Sequence, residues 1–151
     1  VLASPSVTGD FVYFTSEDQN IYKLNRNTGK EVWRFGIRGE VRALPALVST
    51  PLVTQGLVIF GAGDRYVYAL SDEDGLEQWR FETDWVVSSS PALSGDTLYF
   101  GSDDGYLYAL DALRGLEQWR FFLGGRVQAS PVVVDGRIYV GGTNRSFYVV
   151  E

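Results

Sequence analysis

Cysteine is absent from this 151-residue chain, and so is histidine. Without cysteine there is no disulfide, no thiolate metal site and no cysteine nucleophile. Without histidine the commonest general base and the commonest transition-metal ligand go together. Basic residues are outnumbered, 13 Lys and Arg against 19 Asp and Glu, for a net charge of −6 and an isoelectric point near 4.6. That balance argues against nucleic-acid binding, which needs clustered cations on one face. No apolar run approaches the ~18 residues that would suggest a membrane span, so no direct membrane insertion is expected. The chain opens on Val1 with no methionine, charged leader or signal-like apolar stretch, which places any targeting signal outside it. Nor does any segment sustain a capped 3.6-residue apolar stripe, so essentially no helix is expected. The length fits one domain, and a 16.8 kDa chain buries roughly 70% of its extended surface.

What the sequence does have is a repeat, the feature to seek first because missing one misreads the whole fold. Leu76–Phe81 reads LEQWRF and Leu116–Phe121 reads LEQWRF again, with EVWRF at Glu31–Phe35. An aromatic segment precedes each tryptophan: NIYKLN at Asn20–Asn25, YVYALS at Tyr66–Ser71, YLYALD at Tyr106–Asp111. A fourth, SFYVVE, lies at Ser146–Glu151. Each unit starts on a Ser/Thr-Pro step at Pro5, Pro51, Pro91 and Pro131, spaced 46, 40 and 40 residues. The extra six fall in a longer connection around Arg38–Val48. The third unit reads as strands Ser89–Leu93, Thr97–Ser102, Tyr106–Asp111 and Leu116–Phe122, joined by turns that include Asp103-Asp104-Gly105. Strands such as LVIFGAG and YLYAL are apolar on both faces, as in sheets sandwiched between neighbouring sheets, whereas a two-sheet sandwich would leave alternate residues polar. Four-stranded units at this period predict an all-β propeller with four blades near residues 1–36, 47–82, 87–122 and 127–151, the fourth lacking its outer strand. The chain is then one propeller domain or half of a ring.

The recurring pattern of Ser-Pro, Gly turn, Tyr-Ala-Leu-Asp, Gly and Trp-Arg-Phe resembles the PQQ-like repeat of quinoprotein alcohol dehydrogenase-type propellers. The segments LNRNTGKEVW (Leu24–Trp33), LSDEDGLEQW (Leu70–Trp79) and LDALRGLEQW (Leu110–Trp119) are similar to that family's tryptophan-docking motif. The resemblance implies that Gly29, Gly75 and Gly115 permit a tight turn. It also implies that Trp33, Trp79 and Trp119 bury flat surface between blades and give their indole N–H to a neighbour.

Enzymes of the resembling family carry a vicinal cysteine pair, a calcium held by Glu, Asn and Asp, and a catalytic Asp. This chain has no cysteine, and its acids cluster in turns (Glu17-Asp18, Asp64, Asp72-Glu73-Asp74, Asp103-Asp104), where carboxylates cap local backbone N–H groups. The expectation is therefore no catalytic residue, no metal and no cofactor. Departures from the repeat are the candidates for interaction: the long connection with Arg38 and Arg42, and Trp85, the tryptophan outside the docking position. A third candidate is the edge containing Phe147 and Tyr148, where an unpaired strand invites association. The predicted function is a non-catalytic scaffold for protein partners, closed as a homodimer or by other blades, in the periplasm or outside a bacterial cell. A fragment of a PQQ-dependent dehydrogenase and a small-ligand or carbohydrate-binding propeller are the alternatives.

Overall fold

A computed structural model describes residues 3–37 and 49–151. The expected interaction positions Arg38 and Arg42 lie outside the described residues. Every regular element among the described residues is a strand. The first sheet holds β1 (Ser6–Thr8), β2 (Phe11–Thr15), β3 (Asn20–Asn25) and β4 (Glu31–Gly36). The second holds β5 (Leu52–Thr54), β6 (Leu57–Gly61), β7 (Tyr66–Ser71) and β8 (Glu77–Glu82). The third holds β9 (Ala92–Ser94), β10 (Thr97–Gly101), β11 (Tyr106–Asp111) and β12 (Glu117–Phe122). The fourth has three strands, β13 (Val132–Val134), β14 (Arg137–Gly141) and β15 (Phe147–Val150). Within each sheet neighbouring strands follow chain order and run antiparallel.

The first strand of the third unit starts later than its sequence suggests. Ser89, Ser90 and Pro91 precede β9, because the ladder groups they would use are already engaged. The Ser89 hydroxyl donates to the Gly101 carbonyl at 2.8 Å and accepts from the Gly101 N–H at 2.7 Å. Pro91 has no N–H to offer. Ser49 makes the same pair of bonds to Gly61 at 2.9 and 2.8 Å.

Three apolar cores hold the sheets in series. Tyr13, Ile21 and Trp33 of the first sheet meet Val58, Phe60, Tyr68 and Leu70 of the second. The other face of the second sheet, Leu57, Ile59, Val67 and Ala69, meets Leu98, Phe100, Tyr108 and Leu110 of the third. Leu107 of the third meets Ile138 and Val140 of the fourth. All five residues of β6 are buried, which is why that strand reads as a continuous apolar run. Among the described residues no core joins the fourth sheet to the first, so the sheets form an open series. Val132, Val134, Phe147 and Val149 of the fourth sheet are 50–69% exposed.

Among the described residues the first seam alone carries a buried cation. Lys23, 4% exposed, lies 4.2 Å from the Phe11 ring centroid and donates to Asp72 at Oδ1 (2.8 Å) and O (2.7 Å). Tyr13 donates to the same Oδ1 at 2.6 Å. Ammonium, ring and carboxylate thus satisfy one another, which a buried charge requires. At the second seam the corresponding positions are Ile59, Ala69 and Ala112, and the contact is apolar.

Candidate interaction surface

A bulge aims each tryptophan. In the first sheet Lys23 faces Trp33 but Leu24 faces Glu31, so Val32 is an extra residue. The same shift leaves Gln78 and Gln118 extra beside Trp79 and Trp119. A bulge of this kind bends the strand and turns the next side chain out of the simple alternation. Trp33 and Trp79 then reach across to the following sheet. Trp33 Nε1 donates to the Asp72 carbonyl at 2.9 Å and Trp79 Nε1 to the Ala112 carbonyl at 3.1 Å. Under each indole sits a glycine of the next sheet. A Cβ on Gly75 would lie 2.8 Å from the Trp33 ring, and one on Gly115 2.6 Å from the Trp79 ring. Trp119 packs with Tyr99 at 5.9 Å between centroids and borders a cavity of about 300 Å³ with Val150 and Glu151. Gly29 has open space where its Cβ would project.

The turn acids have a second task that the sequence reading did not assign. Asp18, Asp64 and Asp104 each accept a backbone N–H two residues on, at 3.1, 3.2 and 3.0 Å. Their other oxygen accepts the phenol four residues on: Tyr22 at 2.5 Å, Tyr68 at 2.5 Å, Tyr108 at 2.8 Å. The fourth unit has Asn144 and Tyr148 in the same places, with the Asn144 amide donating to the Tyr148 hydroxyl at 2.6 Å. The signal was legible as Asp-x-x-x-Tyr recurring with the repeat. Burial, and then the carboxylate partner, pushes the Tyr68 and Tyr108 phenols well above their ordinary range. The Tyr22 phenol in turn holds the Asp18 carboxyl below its own.

The connections between sheets and the β2–β3-type hairpins lie at one end of the sheets, and backbone bonds lock them together. Asp84 N donates to Asp104 Oδ2 at 3.2 Å, Asp103 N to Val86 O at 2.9 Å, and Thr143 N to Arg126 O at 2.9 Å. On this end Trp85 is 52% exposed, with its carbonyl accepting the Thr83 hydroxyl at 2.5 Å. The fourth sheet separates the two edge candidates. Phe147 points outward and is 69% exposed. Tyr148 packs toward the third sheet, where its hydroxyl donates to the Leu123 carbonyl at 2.5 Å. Among the described residues no group of three or more Asp or Glu is placed to hold a metal ion, and no helix is long and apolar enough to cross a membrane.

Antiparallel blades stacked face to face, with Trp33 and Trp79 each on the next blade's glycine turn, define a propeller built of PQQ-like repeats. The chain belongs to the family described as outer membrane protein assembly factor BamB, whose model matches residues 1–84 and 82–151. The crystal structure of BamB from Moraxella catarrhalis superposes with a TM-score of 0.85 at 19% identity, covering 99% of this chain and 46% of that one. The computationally designed Ika8 protein gives 0.81 at 18%, over 98% of this chain and 44% of that one. The designed Ika4 protein gives 0.82 at 18%, over 99% and 89%. The chain therefore spans just under half the length of the first two. No curated protein matches it.

Proposed function

We propose that this chain is a non-catalytic half-ring of propeller blades that scaffolds protein–protein contacts on the periplasmic or extracellular side of a bacterial envelope. The observation that carries the reading is the division of labour among its side chains. Aromatic and seam groups are spent on blade-to-blade contact and the Asp64 and Asp104 turn carboxylates on their own hairpins, while large apolar side chains are left exposed on the outward face of the fourth sheet. Exposed apolar patches of this kind mark association surfaces. Membership in a family named for outer-membrane protein assembly supports an envelope setting, and the lack of histidine and cysteine supports a role without chemistry.

In this reading Trp33, Trp79 and Trp119, with Gly29, Gly75 and Gly115, are the docking pieces of successive blades. The outward faces of the first and fourth sheets are two halves of one more seam. Val12, Phe14, Tyr22 and Leu24 on the first sheet stand where Val58, Phe60, Tyr68 and Leu70 stand on the second. Tyr139, Phe147 and Val149 on the fourth stand where Ile59, Val67 and Ala69 do. Either a second chain or further blades of a longer polypeptide can complete such a ring. Light scattering behind size exclusion, across a dilution series, separates them. A mass of twice 16.8 kDa that persists on dilution is expected for closure by a second copy. A monomer at every concentration would sink that version and leave completion by other blades. The scaffold role is tested by a photocrosslinker at Phe147 in the intact envelope, and failure to capture any protein partner there would overturn it.

A further inference from the structure

Trp85 occupies a position where the next connection has glycine. The segments Thr83-Asp84-Trp85-Val86-Val87 and Leu123-Gly124-Gly125-Arg126-Val127 correspond, since Val87 and Val127 donate to Ala62 O and Ser102 O and Val86 and Arg126 accept from the next hairpin. Gly125 has little room for a side chain, its Cβ falling in tight contact 3.0 Å from Asn144. At the corresponding place the chain presents an indole, half of it in solvent, on a backbone pinned at four points. Thr83 Oγ1 and Ser102 Oγ reach the Trp85 carbonyl, Asp103 N reaches Val86 O, and Asp84 N reaches Asp104 Oδ2. An exposed tryptophan on a fixed backbone has only its two side-chain torsions to order on binding, which makes it a natural anchor.

Its neighbours are anionic. Asp84 is exposed, and Asp104 lies one hydrogen bond away. Asp103, with its side chain 8% exposed, keeps Oδ1 buried without a hydrogen-bond partner, while Oδ2 accepts Gln128 Nε2 at 3.0 Å and lies 3.8 Å from Arg126 Nη1. Among the described residues, only Asp103 of these three carboxylates has a cation beside it, and that arginine is itself 61% exposed. Elsewhere the chain shows what such a setting holds. Arg80 lies over the Tyr66 ring at 5.3 Å and pairs with Glu77; Arg120 lies over Tyr106 at 5.1 Å and pairs with Glu117. Among the described residues no cation lies over Trp85.

We propose that Trp85 and the exposed Asp84, with the negative charge of Asp103 and Asp104 behind them, form a recognition site for an arginine side chain presented by a protein partner. The indole face takes the guanidinium plane by stacking and cation–π attraction, the Asp84 carboxylate takes its N–H fork, and Asp103 and Asp104 add to the negative field. Lysine matches less well because its ammonium is compact and strongly hydrated. The inference rests on the scaffold reading and identifies one class of contact that scaffold makes.

The test is a titration of acetyl-Gly-Arg-Gly-amide into the whole chain, with affinity read by calorimetry and the site by the indole N–H resonances in NMR. The Trp85 resonance is expected to shift saturably while those of Trp33, Trp79 and Trp119 stay put. The citrulline peptide, equal in shape but uncharged, is expected to bind about tenfold more weakly or not at all. Trp85→Gly, which installs the residue of the next connection, is expected to lose about tenfold, and Trp85→Tyr to retain most of the affinity. Equal binding of the citrulline peptide, or undiminished binding to a folded Trp85→Gly chain, would overturn the proposal. Either result leaves the scaffold reading standing, since crosslinking at Phe147 tests that on a different face.

Discussion

Replacing Trp33 with alanine is expected to lower the unfolding free energy by about 3–5 kcal/mol, the range for deleting a large buried aromatic. The ring is 8% exposed, sits 6.3 Å from Tyr13, covers Gly75 and carries a 2.9 Å hydrogen bond into the second blade. Its loss opens a void at the first seam and leaves the Asp72 carbonyl with Lys23 as its remaining partner from the first blade. Urea denaturation reads the effect as a shifted midpoint. A loss below about 1 kcal/mol would mean that the seam does not depend on the indole. The glycine beneath gives the complementary experiment at the second seam. Gly115 has φ +67° and Gly136 has φ +77°, so alanine at either is strained by about 1 kcal/mol. Only at Gly115 does the new methyl meet an indole at 2.6 Å, whereas at Gly136 nothing lies within 4 Å. Gly115→Ala is therefore expected to cost about 1–3 kcal/mol more than Gly136→Ala, the usual penalty for overpacking. Equal losses would show that the tryptophan swings aside freely.

The repeat, the number of strands in each sheet and, among the described residues, the absence of helix were legible in the sequence, because a 40-residue period repeats both the apolar runs and the turn residues that end them. The tryptophan–glycine spacing was legible for the same reason. Three things were not. The bulges at Val32, Gln78 and Gln118 are invisible to an alternation count, since one inserted residue exposes both Glu77 and Gln78 without altering composition. Asp64 and Asp104 were read as turn formers and their tyrosines as parts of aromatic strands, so the recurring Asp-x-x-x-Tyr spacing was visible but the bond was not. The bond between them depends on the hairpin folding the chain back by four residues. Lys23 and Asp72 lie 49 residues apart, and only seam register brings ammonium to carboxylate. Trp85 stood out as a departure from the repeat, yet its exposure follows from a connection locked to the next hairpin, which no local pattern reports.

Alkaline solution is expected to unfold the chain well before its arginines could titrate. Tyr13, Tyr68 and Tyr108 are 1–4% exposed, and each donates its hydroxyl to a carboxylate, Asp72, Asp64 and Asp104 respectively. Burial first, and then the carboxylate that would face a phenolate, pushes all three far above the ordinary value. In the unfolded chain they ionise near pH 10. Above that pH the unfolded state has lost protons that the folded state still holds, so stability falls as pH rises. Below it the contribution is fully present. One retained proton gives a slope of up to about 1.4 kcal/mol per pH unit, and three give about 4, against a total of about 5–15 kcal/mol for an ordinary domain. The melting temperature is thus expected to hold steady to about pH 9 and to drop steeply beyond about pH 10. Lys23 and Lys30 are the chain's only lysines, and arginine remains protonated throughout this range, so the tyrosines dominate the descent. Tyr108→Phe leaves the ring in its stack with Phe100 at 5.2 Å and removes only the titrating hydroxyl. That variant starts less stable at neutral pH, because Asp104 loses a donor. Its alkaline slope is nevertheless expected to be shallower by about one proton's worth. A variant with the parent's slope would show that Tyr108 ionises alike in both states, and that the carboxylate beside it does not hold the proton on.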